Sequence, residues 1–430
     1  MDYKHLLDYC LDKMAEAGAD KAQVVLSVSE KHELNTENNT VKLLRSTEEF
    51  DLNFKFIKDQ RAASTSINKQ STEAIDAAIE KLVDLSKAAP VDEASDISEF
   101  TEPKVFEIGV LNPNFDQVYE ALETLNAEMK TNYKSIYGDA ILSYDRRHKY
   151  VANSNGVRLE EVGGYYSFTM MFSAKEGDRI TSFNYTGAST CELKKKLLEL
   201  GALEELLDQS IKELDAKAFE GKFVGDVIIA PSCLEEFLEY LSGAALADGS
   251  LIAGSSKFKN KMGEQVASPM LTWHSNPTSA ELAPGYTITG DGFVAEDLTI
   301  IENGVLKSFL ISQYGANKVG LNRSGNYGNA FIVEPGEKSL ADMVKNVKRG
   351  ILLNRFSGGR PGPDGDFAGV AKNSFYIEDG EIKYPITKTM VSGNLFEFIN
   401  AIEAISNRRI NYGNCVLPWI HTKGGTISGQ

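Results

Sequence analysis

Residues Phe356 to Asn394 read FSGGRPGPDGDFAGVAKNSFYIEDGEIKYPITKTMVSGN, with no histidine or cysteine among them. Short apolar runs alternate with glycine turns, the turn chemistry of a closely built β-domain. The imidazoles and thiols from which zinc sites and cysteine nucleophiles are made are missing from it. The same texture extends back to about Val224. Two of its turns share one design, Ile301-Glu302-Asn303-Gly304-Val305-Leu306-Lys307 and Ile377-Glu378-Asp379-Gly380-Glu381-Ile382-Lys383. Each centres on Asn-Gly or Asp-Gly, the dipeptides that accept the positive φ values of a type I′ hairpin. Convergence on a favourable turn explains the likeness more simply than duplication does.

Upstream the pattern is mixed. Leu6, Leu7, Cys10 and Met14 recur at helical spacing and predict a helix over Tyr3 to Ala17. Val24, Leu26 and Val28, then Phe50, Leu52, Phe54 and Phe56, alternate with polar residues as half-buried antiparallel strands do. Ile75, Ile79, Leu82 and Val83 predict a second helix, Thr72 to Ala88, stopped by Pro90. The acidic stretch PVDEASDISEFTEP, Pro90 to Pro103, reads as a solvated linker. Beyond it come a helix near Phe115 to Asn132, strands over Ile136 to Ser143 and Lys149 to Ala152, and a turn at Asn153-Ser154-Asn155-Gly156 that returns Val157 to Leu159 beside Tyr150 to Ala152. Tyr165 to Ser173 adds a strand, Leu193 to Leu214 a charged amphipathic helix, Val224 to Ile229 a strand and Pro231 to Ala247 a helix. The expected fold is α+β. An N-terminal sandwich-like region of helices and antiparallel strands covers 1–218, divisible at the acidic stretch into 1–90 and 104–218, and a β-rich C-terminal domain covers 219–430.

A chain of 430 residues, 42% hydrophobic, is long enough for more than one core, since single cores stop growing near roughly 250 to 300 residues. Its net charge of −16 and its lack of a Lys/Arg cluster argue against direct nucleic-acid binding, which depends on neutralising phosphates. No apolar run approaches the ~20 residues that span a bilayer. The opening MDYKHLLDYCLDK puts charges where a signal peptide needs an apolar core, so a cytoplasmic location and no membrane partner are expected.

Candidate chemistry is sparse. Cys10, Cys191, Cys233 and Cys415 form no CxxC pair, and His5, His32, His148, His274 and His421 are never three to five positions apart, so neither a disulfide framework nor a helix-borne metal pair is suggested. Gly254-Ser255-Ser256-Lys257 and Ser357-Gly358-Gly359-Arg360 fall short of the phosphate-loop pattern. Glu235, Glu236 and Glu239 could form a general-acid cluster, although such spacing usually marks a helix's wet face. Cys415 with His421, or a carboxylate such as Asp291, could serve an autonomous non-metal hydrolase.

The run Gly290 to Leu310, GDGFVAEDLTIIENGVLKSFL, is followed by Ser324-Gly325-Asn326 and Gly328-Asn329-Ala330, then by GDFAGVAKNSFYIEDGEIKYPI and Val391-Ser392-Gly393-Asn394-Leu395-Phe396. This order resembles the C-terminal half of the TldD/TldE (PmbA) family. Asn153-Ser154-Asn155-Gly156, and Ser255-Ser256-Lys257-Phe258 leading to Gly263-Glu264-Gln265-Val266-Ala267-Ser268-Pro269, extend the resemblance over nearly the whole chain. TldD-type members carry HExxxH on a helix and a later cysteine in a Gly-Cys-Gly setting, together binding a zinc-like metal for peptide hydrolysis. Here the helix from Cys233 to Ala247 has no histidine, Cys415 is followed by Val416-Leu417-Pro418, and the ending from Gly424 to Gln430 resembles the TldE/PmbA branch.

The resemblance implies a subunit without catalytic, cofactor or metal residues of its own. Its partner would be a TldD-like metallopeptidase and its substrate an extended peptide. Symmetric homodimers are the commonest soluble oligomers, so a homodimer is expected in isolation and a heterodimer in the cell. Two other readings stay open, the autonomous hydrolase and a non-enzymatic modulator of proteins such as DNA gyrase, the family's older description.

Overall fold

The computed structural model describes residues 2–193 and 196–429. The first half runs α1 (Tyr3–Glu16), β1 (Lys21–Glu37), β2 (Thr40–Lys58), β3 (Arg61–Ile67), α2 (Thr72–Ala88), β4 (Lys104–Gly109), α3 (Phe115–Asn132), β5 (Ile136–Asn153), β6 (Arg158–Glu176), β7 (Arg179–Ile180), β8 (Asn184–Thr190) and α4 (Leu203–Lys212). Its strands form one eight-stranded sheet, ordered β3-β2-β1-β5-β6-β4, with β7 and β8 also on β6. All neighbours are antiparallel except β4, which runs parallel to β6.

Periodicity explains the helices. The predicted stripe of α1 is buried throughout and meets Val24, Leu26, Phe54 and Phe56 of the sheet together with Ile75, Ile79 and Leu82 of α2. The Ser71 side chain accepts from the Ala74 N–H and caps α2, whose last residues give way to extended backbone at Ala89, just before Pro90. α3 and α4 pack on Leu142, Phe168 and Phe172, alternate positions that share one face of β5 and β6 with the α1–α2 cluster. The opposite face, with Val151 and Leu159, packs on Ile288 of the second half.

Three expectations are corrected. The strand expected in two pieces, 136–143 and 149–152, is one continuous β5, because its polar middle, Tyr144 to His148, is paired on both sides by β1 and β6. The helix expected over 193–214 falls partly outside the described residues, and within them it is broken. Gly201 and Ala202 have φ of +55° and +59°, and a Cβ on Gly201 would lie 2.6 Å from Thr186 Oγ1, so this turn sits tight against β8. The acidic stretch 90–103 is not a solvated linker. Ala94, Ile97 and Ser98 are buried, and Asp92 is held by Lys318 Nζ at 2.8 Å and the Tyr314 hydroxyl at 2.9 Å.

The second half contains β9 (Lys217–Ala218), β10 (Lys222–Ile229), α5 (Pro231–Leu241), α6 (Asp248–Ile252), β11 (Trp273–Ser275), β12 (Leu298–Glu302), β13 (Val305–Leu306), α7 (Gln313–Val319), β14 (Phe331–Val333), α8 (Leu340–Lys345), β15 (Arg349–Leu353), β16 (Arg355–Gly358), β17 (Asp366–Lys372), β18 (Ser374–Glu378), β19 (Glu381–Thr387), β20 (Met390–Asn394), α9 (Leu395–Asn400), β21 (Ile402–Asn411) and β22 (Val416–Ser428). Its strands form a mixed fourteen-stranded sheet in which β22 pairs with β10, β14, β20 and β21. Both predicted hairpins form, β12–β13 and β18–β19, with φ of +47° and +80° at Asn303-Gly304 and +47° and +78° at Asp379-Gly380. The fold is α+β, a sheet with helices on one face followed by a β-rich half. No helix among the described residues is long and apolar enough to cross a membrane.

Candidate functional site

α5 decides where the site lies. Pro231 opens it, a position where the missing N–H costs nothing, and Cys233, Leu234, Phe237, Leu238 and Leu241 fix one face in the core. Glu235, Glu236, Glu239 and Tyr240 are thereby directed elsewhere. The three glutamates lie on the wall of a cleft of about 560 Å³ bounded by residues 184–187 of β8, by 354–358 around β16, and by Tyr412 and Asn414. A second cleft, about 540 Å³, starts from Glu239 and Tyr240 and runs to the 360–365 loop. The helix therefore borders a groove along two consecutive openings.

The groove is acidic. Glu235 accepts from Asn414 Nδ2 at 2.6 Å, Glu236 from the Tyr240 hydroxyl at 2.8 Å, and Glu239 from Asn329 Nδ2 at 3.2 Å. Burial, then the proximity of Glu235, raises the Glu239 carboxyl above its ordinary value. Burial and the bond to Glu236 push the Tyr240 hydroxyl up to about 12. Cys415 is buried beside Glu235, and burial followed by that charge holds its thiol well above the ordinary range. Such a thiol is a poor nucleophile.

The other sequence candidates are not brought together as a site. Six positions of extended chain separate Cys415 from His421, about 20 Å, and His421 is buried with Nε2 2.9 Å from Asp226 Oδ1 on the neighbouring β10. Asp291 accepts from Thr289 Oγ1 at 2.6 Å and from the Gln313 N–H at 2.9 Å, which ties a turn to the start of α7. Lys257 donates to the Asp364 carbonyl at 2.7 Å, so residues 254–257 fasten the 360–365 loop and offer no phosphate cradle. Ser357 and Gly358, from the second weak loop motif, do line the first cleft. His148 pairs with Glu160 at 2.8 Å and His274 with Glu334 at 3.2 Å. Among the described residues no three His, Cys, Asp or Glu side chains are arranged to hold a metal ion.

In the sequence the glutamates read as a wet helix face, and Asn184, Arg355, Tyr412 and Asn414 have no assigned role. None carries a local signal. Asn184 lies 51 positions before Glu235, and only the docking of β8 against the second half puts both on one cleft.

Residues 221–429, 22–86 and 110–217 match family models described as the PmbA/TldA metallopeptidase C-terminal domain, domain 1 and central domain. The chain belongs to the PmbA/TldD family. An uncharacterized protein of Methanocaldococcus jannaschii is 23% identical over 97% of this chain and 99% of its own. A crystal structure from Bacteroides thetaiotaomicron, named for a proposed modulator of DNA gyrase, superposes with a TM-score of 0.87 at 23% identity and full coverage of both chains. That of TldE from Thermococcus kodakarensis gives 0.80 at 20% identity, covering 99% of this chain and 100% of its own.

Proposed function

We propose that this chain is the non-catalytic, TldE/PmbA-like subunit of a pair whose other member is a TldD-like metallopeptidase, and that the pair processes unfolded or small peptides in the cytoplasm. The observation that carries the reading is α5. It faces a cleft large enough for a peptide with carboxylates and a tyrosine, where an HExxxH peptidase needs two imidazoles on one helix face to hold its zinc. Cys233 on the helix itself and Cys415 beside Glu235 are both buried, which holds their thiols protonated. The metal, the water and the general base come from the partner, and this chain supplies enclosure and a hold on extended substrate. In isolation it pairs with itself.

The test is co-expression with a TldD-like protein, followed by metal analysis and peptide cleavage for each chain alone and for both together. The expected result is cleavage only when both are present, with zinc tracking the partner. Stoichiometric zinc and chelator-sensitive cleavage from this chain alone would overturn the reading. Cleavage persisting in excess chelator would favour the autonomous hydrolase instead.

A further inference from the structure

The first half of the chain meets the α5 cleft through a buried polar seam. Glu213, just past α4, Asn373, between β17 and β18, and Asn354, between β15 and β16, are all buried. Asn373 Nδ2 donates to Glu213 Oε2 at 2.8 Å, and Asn354 Nδ2 donates to the Asn373 carbonyl at 2.8 Å and to Gln209 Oε1 of α4 at 2.6 Å. The Asn354 carbonyl in turn accepts from Ser232 Oγ, in the first turn of α5, at 2.9 Å. These bonds leave two atoms out. Glu213 Oε1 and Asn373 Oδ1 are buried without a partner, although buried polar groups are nearly always satisfied. A protonated Glu213 carries its hydrogen on that side, whereas an ionised one is left with a buried charge unsupported there.

Arg355 is the group that can answer such a charge. It follows Asn354 directly, lines the α5 cleft, and rests its guanidinium 4.4 Å from the Phe183 ring and 5.4 Å from that of Tyr185. Both rings are half exposed. Among the described residues the guanidinium has no carboxylate in contact, and burial lowers it from its ordinary range against the opposing charge of Glu213. The other elements packed around Glu213 are α4, β6 and β19. On them Glu176 is held, like Asp215, by Arg179, and Glu381 pairs with Lys383. Asp208, Lys212 and Lys175 are exposed, as Lys372 partly is. Of all these charges, that of Arg355 acts on Glu213. Across the cleft Arg355 also faces Glu235, Glu236 and Glu239, whose described partners are Asn414, Tyr240 and Asn329.

We propose that Glu213 and Arg355 form a proton-operated gate at the mouth of the α5 cleft. While Glu213 keeps its proton, Arg355 stays clamped on Phe183 and Tyr185 and ties β8 to β16 across the opening. When Glu213 gives its proton to water, the guanidinium turns to the freed Oε1. A buried, charge-assisted pair then replaces the contact with the rings, and the two rings are released. Burial, which raises the Glu213 carboxyl to about 7, sets the pH at which this happens. The device belongs to this chain alone and does not depend on the partner role.

The test uses the full chain with Phe183 replaced by 4-fluorophenylalanine, a ring that does not itself titrate, and follows its fluorine resonance from about pH 5 to about pH 9. The line should move along one titration curve centred near pH 7. Glu213→Gln should hold it at its acid-side position throughout. Arg355→Gln should abolish the pH dependence while leaving Glu213 free to titrate, which separates the gate from a general loosening of the seam that would move the line with or without Arg355. A titration of Glu239 would persist in Glu213→Gln and so is told apart. Thermal melting checks each variant's fold, and if Glu213→Gln fails to fold, Arg355→Gln decides. A line that stays fixed in the unaltered chain, a titration that survives in folded Glu213→Gln, or one that survives in Arg355→Gln overturns the proposal.

Discussion

Burial lifts the Glu213 carboxyl from its ordinary 4.5 to about 7. Asn373 Nδ2 donates to its Oε2 at 2.8 Å, while Glu213 Oε1 and Asn373 Oδ1 are both buried without a partner. A proton on Glu213 Oε1 turns one of these two orphaned acceptors into a donor. Between pH 4.5 and 7 the folded chain keeps a proton that the unfolded chain releases, so this group's contribution to stability falls as pH rises through that window and is level above it. The full loss is about 3 kcal/mol. Glu213→Gln replaces the acid with a permanently neutral amide able to pair with Asn373 both ways. It should flatten the pH dependence of the urea midpoint and stabilise the chain at pH 8 by about 2 kcal/mol. The buried pair of His421 and Asp226 behaves differently. His421→Ala leaves Asp226 without its partner on the adjacent strand and should cost about 3 kcal/mol in denaturant titrations. It should not touch the groove, so peptide binding by the remaining folded protein should be unchanged.

At the scale of elements, the two look-alike hairpins separate local from tertiary information. Their turns have the same conformation, yet a Cβ on Gly304 would lie 2.0 Å from Gln265 Nε2 and 2.3 Å from the Ala267 carbonyl, whereas at Gly380 the nearest atom is the Lys345 carbonyl at 2.9 Å. Gly→Ala carries the positive-φ strain of about 1 kcal/mol at either place, and at Gly304 the displacement of neighbouring backbone adds to it. Gly304→Ala should therefore lower the melting temperature more than Gly380→Ala. Equal shifts would mean that the turn alone sets the cost.

The same distinction decides what was legible in the sequence. α1, α2 and both hairpins rest on local periodicity or a dipeptide, and they stand as read. The middle of β5 was hidden because Asp145, Arg146 and Arg147 look like loop residues and are strand residues only by virtue of β1 and β6 on either side. The break at Gly201 comes from Thr186 and Gly187, whose approach has no trace in the helical pattern around it. In the groove, the residue types of Glu235, Glu236 and Glu239 were visible, but the face they turn to depends on β8 and β16, which come from distant parts of the chain.

At the scale of the molecule, residues 90–103 act as a clasp. Asp92 reaches Tyr314 and Lys318, the Ala94 carbonyl takes the Asn317 amide at 3.0 Å, and the Ser98 carbonyl takes Asn153 Nδ2 at 2.8 Å. Lys318 holds the Asp92 carboxyl below its ordinary range. Asp92→Ala should loosen this strap from α7 and speed limited proteolysis within 90–103 severalfold, while the melting temperature changes little, since the anchoring charges are partly exposed. Proteolysis at an unchanged rate would show that the buried Ala94, Ile97 and Ser98 suffice.

The pairing of β1 with β5 has a kinetic consequence. The Ala22 N–H donates to Ser154 Oγ across 132 positions of sequence, and thirteen registered pairs zip the two strands side by side. The hairpins β1–β2 and β5–β6 can each form from local chain, but joining them requires closing a very long loop before the seam returns any energy. Refolding of the first half should thus have a slow phase set by this docking event. Separately made halves of the sheet, one ending in the clasp and the other beginning there, should find each other in solution at a rate that rises with their concentration.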